Sequence, residues 1–333
     1  MSKNTKVKKV LSIDGGGIKG VFPAAVLAAL DTKIEKPINE YFDLIVGTST
    51  GGIIALGLGL GIPPSEILRL YEEKGDEIFS QGSDFKGSLI AKTHRKMRSL
   101  FYGAQYSRKN LAKELEAVFG DHKLGQSQNR IVIPSYSSMT DRISLYKTAH
   151  HEKLETDYDV TAVEVALATS AAPVFFSPFI SSEAVELLDG GVWANNPIAV
   201  AANEAVGYLK WPSDKIKILS LGTFTERRVP RNKSGAIQMG VSGYATHMFM
   251  AAQASAAENS ARILTGAHSE RQTIWRVNQE VPYKRYGLDK TKFIAEMKGR
   301  ANEEARHNLA DLKTHFFDVP ADPFTPIYQP TTS

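Results

Sequence analysis

The stretch Tyr41-Phe42-Asp43-Leu44-Ile45-Val46-Gly47-Thr48-Ser49-Thr50-Gly51-Gly52-Ile53-Ile54-Ala55-Leu56 decides how the rest of the chain reads. The apolar run from Tyr41 to Val46 predicts a buried strand ending at Gly47. The small, apolar run from Gly52 predicts a helix leaving from Thr50. Between them, Gly47-Thr48-Ser49-Thr50-Gly51 has the G-x-S-x-G spacing and the strand-turn-helix setting of a nucleophile elbow. Such a turn holds its serine in a strained conformation, and glycines two positions either side leave room for it. The helix N-terminus behind Ser49 offers unpaired N–H groups and partial positive charge to a developing anion. Taken alone, the pentapeptide is equally well explained as a glycine-rich turn between strand and helix.

Moving towards the N-terminus, Val7 to Ile13 reads as a strand that stops at Asp14-Gly15-Gly16-Gly17-Ile18-Lys19-Gly20. A helix follows, with Pro23 in its first turn and Ala24 to Leu30 as its body. This loop fits two templates. Gly15-x-Gly17-x-x-Gly20 has the spacing of a dinucleotide-binding turn, with Asp31 and Glu35 downstream as ribose partners. Val21 stands where a phosphate-binding loop of the Walker type needs lysine. Alternatively, the bare backbone at Gly15, Gly16 and Gly17 forms an oxyanion hole, in which one donor is typically worth ~10²–10³ in rate.

Moving towards the C-terminus, Leu187-Leu188 leads into Asp189-Gly190-Gly191. If Ser49 is a nucleophile it needs a base. Asp189 followed by His247 or His268 satisfies the serine, acid, histidine order of a triad. Neither histidine has a strand end and loop signals around it, however, and His247 falls in a helical run. Asp189 sits at a strand end, with two glycines that allow another backbone to approach. It can accept the serine proton directly, although an ordinary carboxyl near ~3.9 is a weak base unless partly desolvated.

The remaining chain alternates strand and helix. Helices are expected from Ser65 to about Phe79, from a Ser107 cap to about Phe119, and from a Thr161 cap through Ala172, where Pro173 ends the run. Further helices are expected from Pro197 to about Leu209, over Met239–Leu264, and over Asp289–Phe316 with a break near Gly299. Strands are expected at 130–137, 143–149, 216–221 and 273–277, with Thr140-Asp141 as a turn. The pattern predicts one α/β domain over residues 1–320 with a mainly parallel sheet. Residues 321–333, rich in proline, read as an extended, loosely held tail.

The 333 residues are 42% hydrophobic and 23% charged, an ordinary globular balance, and the net charge of +4 is mildly basic. The charge allows an anionic lipid surface or a nucleotide ligand and requires neither. Cys 0 excludes disulfides, thiolate metal sites and a cysteine nucleophile, and fits a reducing compartment. The basic start lacks the apolar core of a secretory signal, and the apolar run from Ile53 to Ile62 is short of the ~20 residues needed to span a bilayer. The expected location is therefore cytoplasmic.

Three motifs in this order, Asp14-Gly15-Gly16-Gly17-Ile18-Lys19-Gly20, Gly47-Thr48-Ser49-Thr50-Gly51 and Asp189-Gly190-Gly191, resemble the signature set of patatin-like phospholipases. The blocks Ala168–Pro173, Asp189–Pro197 and Leu219–Thr223 are similar to that family's connecting segments, so the resemblance is close from residue 7 to 225. It implies a three-layer α/β/α fold and ester cleavage through an acyl-serine, with no metal or organic cofactor. Ser49 would be the nucleophile, Asp189 its base, and Gly15, Gly16 and Gly17 the oxyanion loop. Gly20, Gly47, Gly51, Gly190 and Gly191 would support the motifs, and Lys19 stands where the family often has arginine. On that reading the histidines have no catalytic part.

The overall length and the style of the first glycine loop also resemble bacterial members that act as anti-phage (CBASS) effectors, in which a cyclic di- or trinucleotide switches on degradation of membrane phospholipid. Such a role would place the protein at the inner membrane surface, with homo-oligomerisation open and no DNA or RNA polymer as partner. The basic, aromatic-interleaved stretch from Lys86 to Lys109 is the expected effector site. There Lys92, His94, Arg95 and Arg98 would hold phosphates and Tyr102 or Tyr106 would stack a base. A lid or lipid-headgroup surface is the competing reading of that stretch. A nucleotide-dependent oxidoreductase would leave Ser49 and Asp189 without a role. A non-catalytic nucleotide sensor on the same fold has both residues intact against it.

Overall fold

Burial along the strands alternates, and that alternation builds the layers. The computed structural model describes residues 6–78, 106–226, 241–266 and 271–330. In β1 (Lys8–Ile13), Val10 faces one side of the sheet while Leu11 and Ile13 face the other. The same division runs through β2 (Leu44–Gly47), β3 (Arg130–Ser137) and β7 (Ile216–Leu221). Side chains such as Leu11, Ile45, Ile133 and Leu219 pack beneath α1 (Val21–Asp31), α2 (Thr50–Gly59), α3 (Pro64–Ile78), α4 (Arg108–Phe119) and α5 (Ala162–Thr169). On the opposite face Val10, Leu44, Val132 and Ile218 meet Ala194 of the short α6 (Gly191–Ala194), helix α7 (Ile198–Ala202) and Ala261. Two apolar cores on the two faces of one sheet make the expected α/β/α sandwich.

The sheet runs in the order β5 (Phe179–Ile180), β6 (Glu186–Asp189), β3, β2, β1, β7 and β9 (Ile274–Val277), with β4 (Arg142–Lys147) also paired to β3 and the short β8 (Thr225–Glu226) outside it. β3, β2, β1, β7 and β9 are parallel. β4 and β6 join β3 antiparallel, and β5 joins β6 the same way.

The arrangement at β3 positions the candidate site. β2 pairs with Arg130 to Val132, and β6 pairs with Ser135 to Ser137. β4 spans Val132 to Ser137 and so takes the other edge of β3. β2 and β6 therefore lie end to end on one edge, running towards each other. Pro134, which has no N–H to donate, sits at the changeover.

Three expectations change. α5 ends at Thr169 rather than running to Ala172, because Ser170 leaves the helix at φ −102° and ψ 11°, and Ala171 N and Ala172 N turn to Ala168 O and Ser170 O instead of continuing the i−4 ladder. Helix α9 (Ile294–Phe316) passes through Gly299 unbroken. A Cβ there would meet nothing within 4 Å, and the helix is anchored by buried Met297, Ala301, Leu312 and Phe316. A lone interior glycine costs only about 1 kcal/mol, which this packing overrides. The proline-rich tail, finally, is strapped down rather than loose. Ala321 N donates to Glu40 O at 2.8 Å and Ile327 N to Ala149 O at 2.7 Å. Asp322 pairs with Lys6 and Lys8 at 3.0 and 3.2 Å.

Candidate active site

Ser49 stands at the C-terminal end of β2 with φ 55° and ψ −123°, a backbone conformation that non-glycine residues rarely adopt. The surroundings enforce it. A Cβ on Gly47 would lie 2.0 Å from Gly51 O, and one on Gly51 would lie 2.3 Å from Ile13 O. Both glycines are thus required by backbone packing, as the elbow pattern predicts. The Ser49 carbonyl accepts from Gly52 N at 2.9 Å and Ile53 N at 3.1 Å, which starts α2 directly behind the serine.

Asp189 ends β6 and meets Ser49 head on. Ser49 Oγ donates to Asp189 Oδ2 at 2.6 Å, and Gly191 N donates to Oδ1 at 2.6 Å. Both side chains are buried, with only 8% of Ser49 and 5% of Asp189 exposed. Burial pushes the Asp189 carboxyl up to about 6, while the bonds from Ser49 and Gly191 pull in the opposite direction. Gly190 is glycine because a Cβ there would fall 2.3 Å from Pro134 O.

The first glycine loop lies against this pair. A Cβ on Gly15 would sit 3.2 Å from Ser49 Cβ and 2.6 Å from Asn195 Oδ1. Of the three expected oxyanion donors, one is already committed, since Gly15 N donates to Asn195 O at 2.9 Å. The amides of Gly16 and Gly17 have no acceptor among the described residues, and neither does that of Thr50, the first residue of α2. Gly17 has φ +57° and faces Leu288 O, 2.4 Å from where its Cβ would be. Gly20 is required by Thr50, whose Oγ1 would lie 2.0 Å from a Cβ. Lys19 is half-buried, and burial pushes its ammonium down while Glu226 and Asp14 act the other way.

Several supporting residues escaped the sequence. Thr169 Oγ1 donates to Pro134 O at 2.6 Å and accepts Ser49 N at 3.0 Å, tying the elbow to the β3 changeover. Thr223 Oγ1 holds Gly15 O at 2.6 Å. Asp14 is gripped by Arg276, Nη1 to Oδ1 at 2.9 Å and Nη2 to Oδ2 at 2.5 Å. The block 168–173 contains Thr169 and the block 219–223 contains Thr223, so motif position pointed at both. Arg276 carried no local signal.

Of the candidate histidines, His247 lies on helix α8 (Val241–Leu264) with its side chain outside the described residues, and His268 is outside them altogether. Lys92, His94, Arg95, Arg98 and Tyr102 also lie outside the described residues. Tyr106 is described and is only 8% exposed. Its ring packs against Phe175 and Phe176, and its hydroxyl donates to Asp289 at 2.7 Å, so this face is taken up by the protein's own core.

A serine held in a strained elbow, bonded to a desolvated carboxylate and flanked by unpartnered amides, has the parts of an acyl-transfer site. Comparison with known proteins points the same way. The family signature of patatin-like phospholipases matches residues 11–202, more than half of the chain. The chain is 36% identical over 217 residues to a cGAMP-activated phospholipase of Pseudomonas aeruginosa, covering 65% of this chain and 62% of that one. It is 32% identical over 232 residues to a cGAMP-activated phospholipase of Vibrio cholerae, covering 66% and 64%. It is also 32% identical over 246 residues to patatin-like protein 2 of Arabidopsis thaliana, covering 64% and 59%. The matched part thus spans less than two thirds of each relative. Because the signature takes in the first glycine loop, Ser49 and Asp189 together, the chain belongs to the patatin-like phospholipase family.

Proposed function

We propose that the chain is a lipid acyl hydrolase that cleaves ester-linked fatty acids from phospholipids with a Ser49–Asp189 dyad. The reading rests on the 2.6 Å bond from Ser49 Oγ to Asp189 Oδ2 beside the open amides of the glycine loop. Asp189 takes the Ser49 proton as Oγ attacks the acyl carbonyl carbon. The resulting oxyanion is held by the amides of Gly16, Gly17 and Thr50 at the start of α2. Collapse breaks the ester C–O bond, and the proton on Asp189 passes to the departing alcohol. Asp189 then deprotonates a water that attacks the acyl-serine, releasing the fatty acid and restoring Ser49. A carboxyl near 6 is mostly ionised at neutral pH and basic enough to share a proton with a serine.

The relatives named as cGAMP-activated phospholipases support a regulated version of this activity. On that reading a cyclic dinucleotide raises hydrolysis of bilayer phospholipid at the inner membrane surface, as an effector of antiviral defence. No helix among the described residues is long and apolar enough to cross a membrane, so substrate would be reached from the bilayer surface.

The test is hydrolysis of a fluorogenic phospholipid by the purified chain and its Ser49→Ala variant, with and without a panel of cyclic di- and trinucleotides. Activity that disappears in Ser49→Ala while the circular dichroism spectrum is kept supports the dyad, and retained activity rejects it. Full activity without any nucleotide rejects the gating.

A further inference from the structure

The segment Pro282–Phe293 was not singled out by sequence and lies beyond the region matched by the family signature. It packs directly on the oxyanion loop. Leu288 O accepts Ile18 N at 2.8 Å and closes over Gly17. Within ten residues it carries Lys284, Arg285, Lys290 and Lys292, all exposed, against one carboxylate, Asp289, which is engaged by Tyr106. Arg285 is paired with Glu296. Lys284 and Lys292 instead rest beside the rings of Tyr283 and Phe293 at 5.1 and 4.9 Å, and neither ammonium group has a carboxylate partner among the described residues.

Apolar side chains flank these cations at the same end of the sheet. Leu288 is exposed at the tip of the segment. Gln253 of α8 bonds to Asn195 N at 2.9 Å and Val192 O at 3.3 Å, whereas Thr265, just past its other end, bonds to Thr273, whose carbonyl accepts Ile218 N near the start of β7. Helix α8 therefore runs antiparallel to β7, with its first turns beside the C-terminal strand ends where Ser49 lies. One turn before Gln253 are Met248 and Phe249, the latter 71% exposed, and Val192, whose carbonyl Gln253 holds, is exposed as well.

From this juxtaposition we propose that Lys284, Lys290, Lys292 and Leu288, with Val192, Met248 and Phe249, form the face that docks on an anionic phospholipid bilayer. Long basic stems suit a broad anionic plane, where their heads reach phosphates and their methylenes and apolar neighbours enter the interface. A stacked nucleotide fits less well here. Tyr286 is buried against Phe224 and Phe293, and Arg285 covers Phe293 at 4.7 Å, so these ring faces are taken. The proposal rests on the phospholipase reading for its substrate, and it explains how a bilayer ester would arrive beside Gly16, Gly17 and Ser49.

The test is vesicle co-sedimentation of the full chain carrying Ser49→Ala, so that binding is read without turnover. Vesicles of phosphatidylcholine alone are compared with phosphatidylcholine and phosphatidylglycerol at 3:1. The parent is expected to prefer the anionic vesicles and to lose binding as salt rises. Adding Lys284→Gln and Lys292→Gln should weaken anionic binding about fivefold per cation removed. An equal charge change at the far end of the molecule, Lys33→Gln with Lys210→Gln, should leave binding at the parent level. Phe249→Ser should lower binding to both vesicle types. Four results would overturn the proposal: no anionic preference in the parent, no salt dependence, equal losses in the two double variants, or parental vesicle binding by the loop variant with loss of the response to 3′,3′-cyclic GMP-AMP on an intact Ser49. Because vesicle binding is measured on an inactive protein, a failure of the hydrolase reading leaves this result separately interpretable.

Discussion

Ser49 and Asp189, 140 residues apart, are joined at 2.6 Å because β2 and β6 converge on the same edge of β3 from opposite directions. The bond is thus a property of the sheet, and its geometry depends on how the two strand ends abut at Pro134.

Replacing Asp189 with Asn removes the proposed proton acceptor but keeps the shape. Hydrolysis is expected to fall by about 10²–10⁴, measured as kcat/KM on a soluble acyl ester. Stability should move the other way. A carboxyl shifted by burial to about 6 is favoured in the fold when protonated. Its penalty is absent below the unfolded value near pH 4 and fully present above about pH 6, where it amounts to roughly 3 kcal/mol. Asn avoids the penalty and loses part of the bonding to Ser49 and Gly191, so a rise of a few degrees in melting temperature is expected at pH 8 and none at pH 4. Thermal denaturation at both values checks it.

On the proposed mechanism the same carboxyl sets the acid limb of the rate. As pH falls through about 6, Asp189 takes up a proton and can no longer accept one from Ser49. The logarithm of kcat/KM should rise with unit slope below that point and flatten above it. A limb centred near 4 would indicate a base other than a buried Asp189.

Thr169→Val keeps the volume and deletes the hydroxyl that joins Ser49 N to Pro134 O. Two buried polar groups then lose a partner, at a cost of about 1–3 kcal/mol each when left unsatisfied. Activity is expected to fall about tenfold through loosening of the elbow, whereas Thr169→Ser should recover most of it. Chemical denaturation and initial rates separate the two effects.

Gly16→Ala tests the oxyanion loop. The new methyl would fall 2.6 Å from the Thr223 side chain, which itself holds Gly15 O, so the loop must shift. A loss of about 10²–10³ in kcat with little change in KM is expected if Gly16 N binds the transition state.

Arg276→Met leaves Asp14 buried without its bidentate partner. Breaking such a pair costs about 3–5 kcal/mol, so a clear drop in denaturation midpoint is expected. The Asp14→Asn, Arg276→Met double variant should recover much of it.

What sequence reveals here follows from how local the constraint is. Gly47, Gly51, Gly20 and Gly190 are each forced by backbone or side-chain approach within a few ångströms, so glycine at a fixed spacing from Ser49 or Asp189 is visible without a structure. The parallel centre of the sheet is equally visible, because its strands are apolar on both faces. Arg276 was invisible, since its partner Asp14 is 262 residues away and an arginine in a short strand has no pattern. The commitment of Gly15 N to Asn195 O was hidden for a similar reason: three adjacent glycines look alike until one of them is paired. Gly299 and the prolines after Phe317 misled because propensity is a local quantity. Helix α9 is held by burying Met297, Ala301, Leu312 and Phe316 in the core, and the tail by Glu40, Ala149, Lys6 and Lys8, far away in the chain.

The grip of Arg276 on Asp14 also orders events in time. During synthesis the first glycine loop and Ser49 leave the ribosome early, but the cation that neutralises Asp14 emerges more than two hundred residues later. Helix α9, which covers α1 and seats Phe316 in the core, and the strap that reaches Ala149 follow later still. A nascent chain therefore carries Ser49 through more than two hundred further residues of synthesis before Arg276 can complete the surroundings of the first glycine loop.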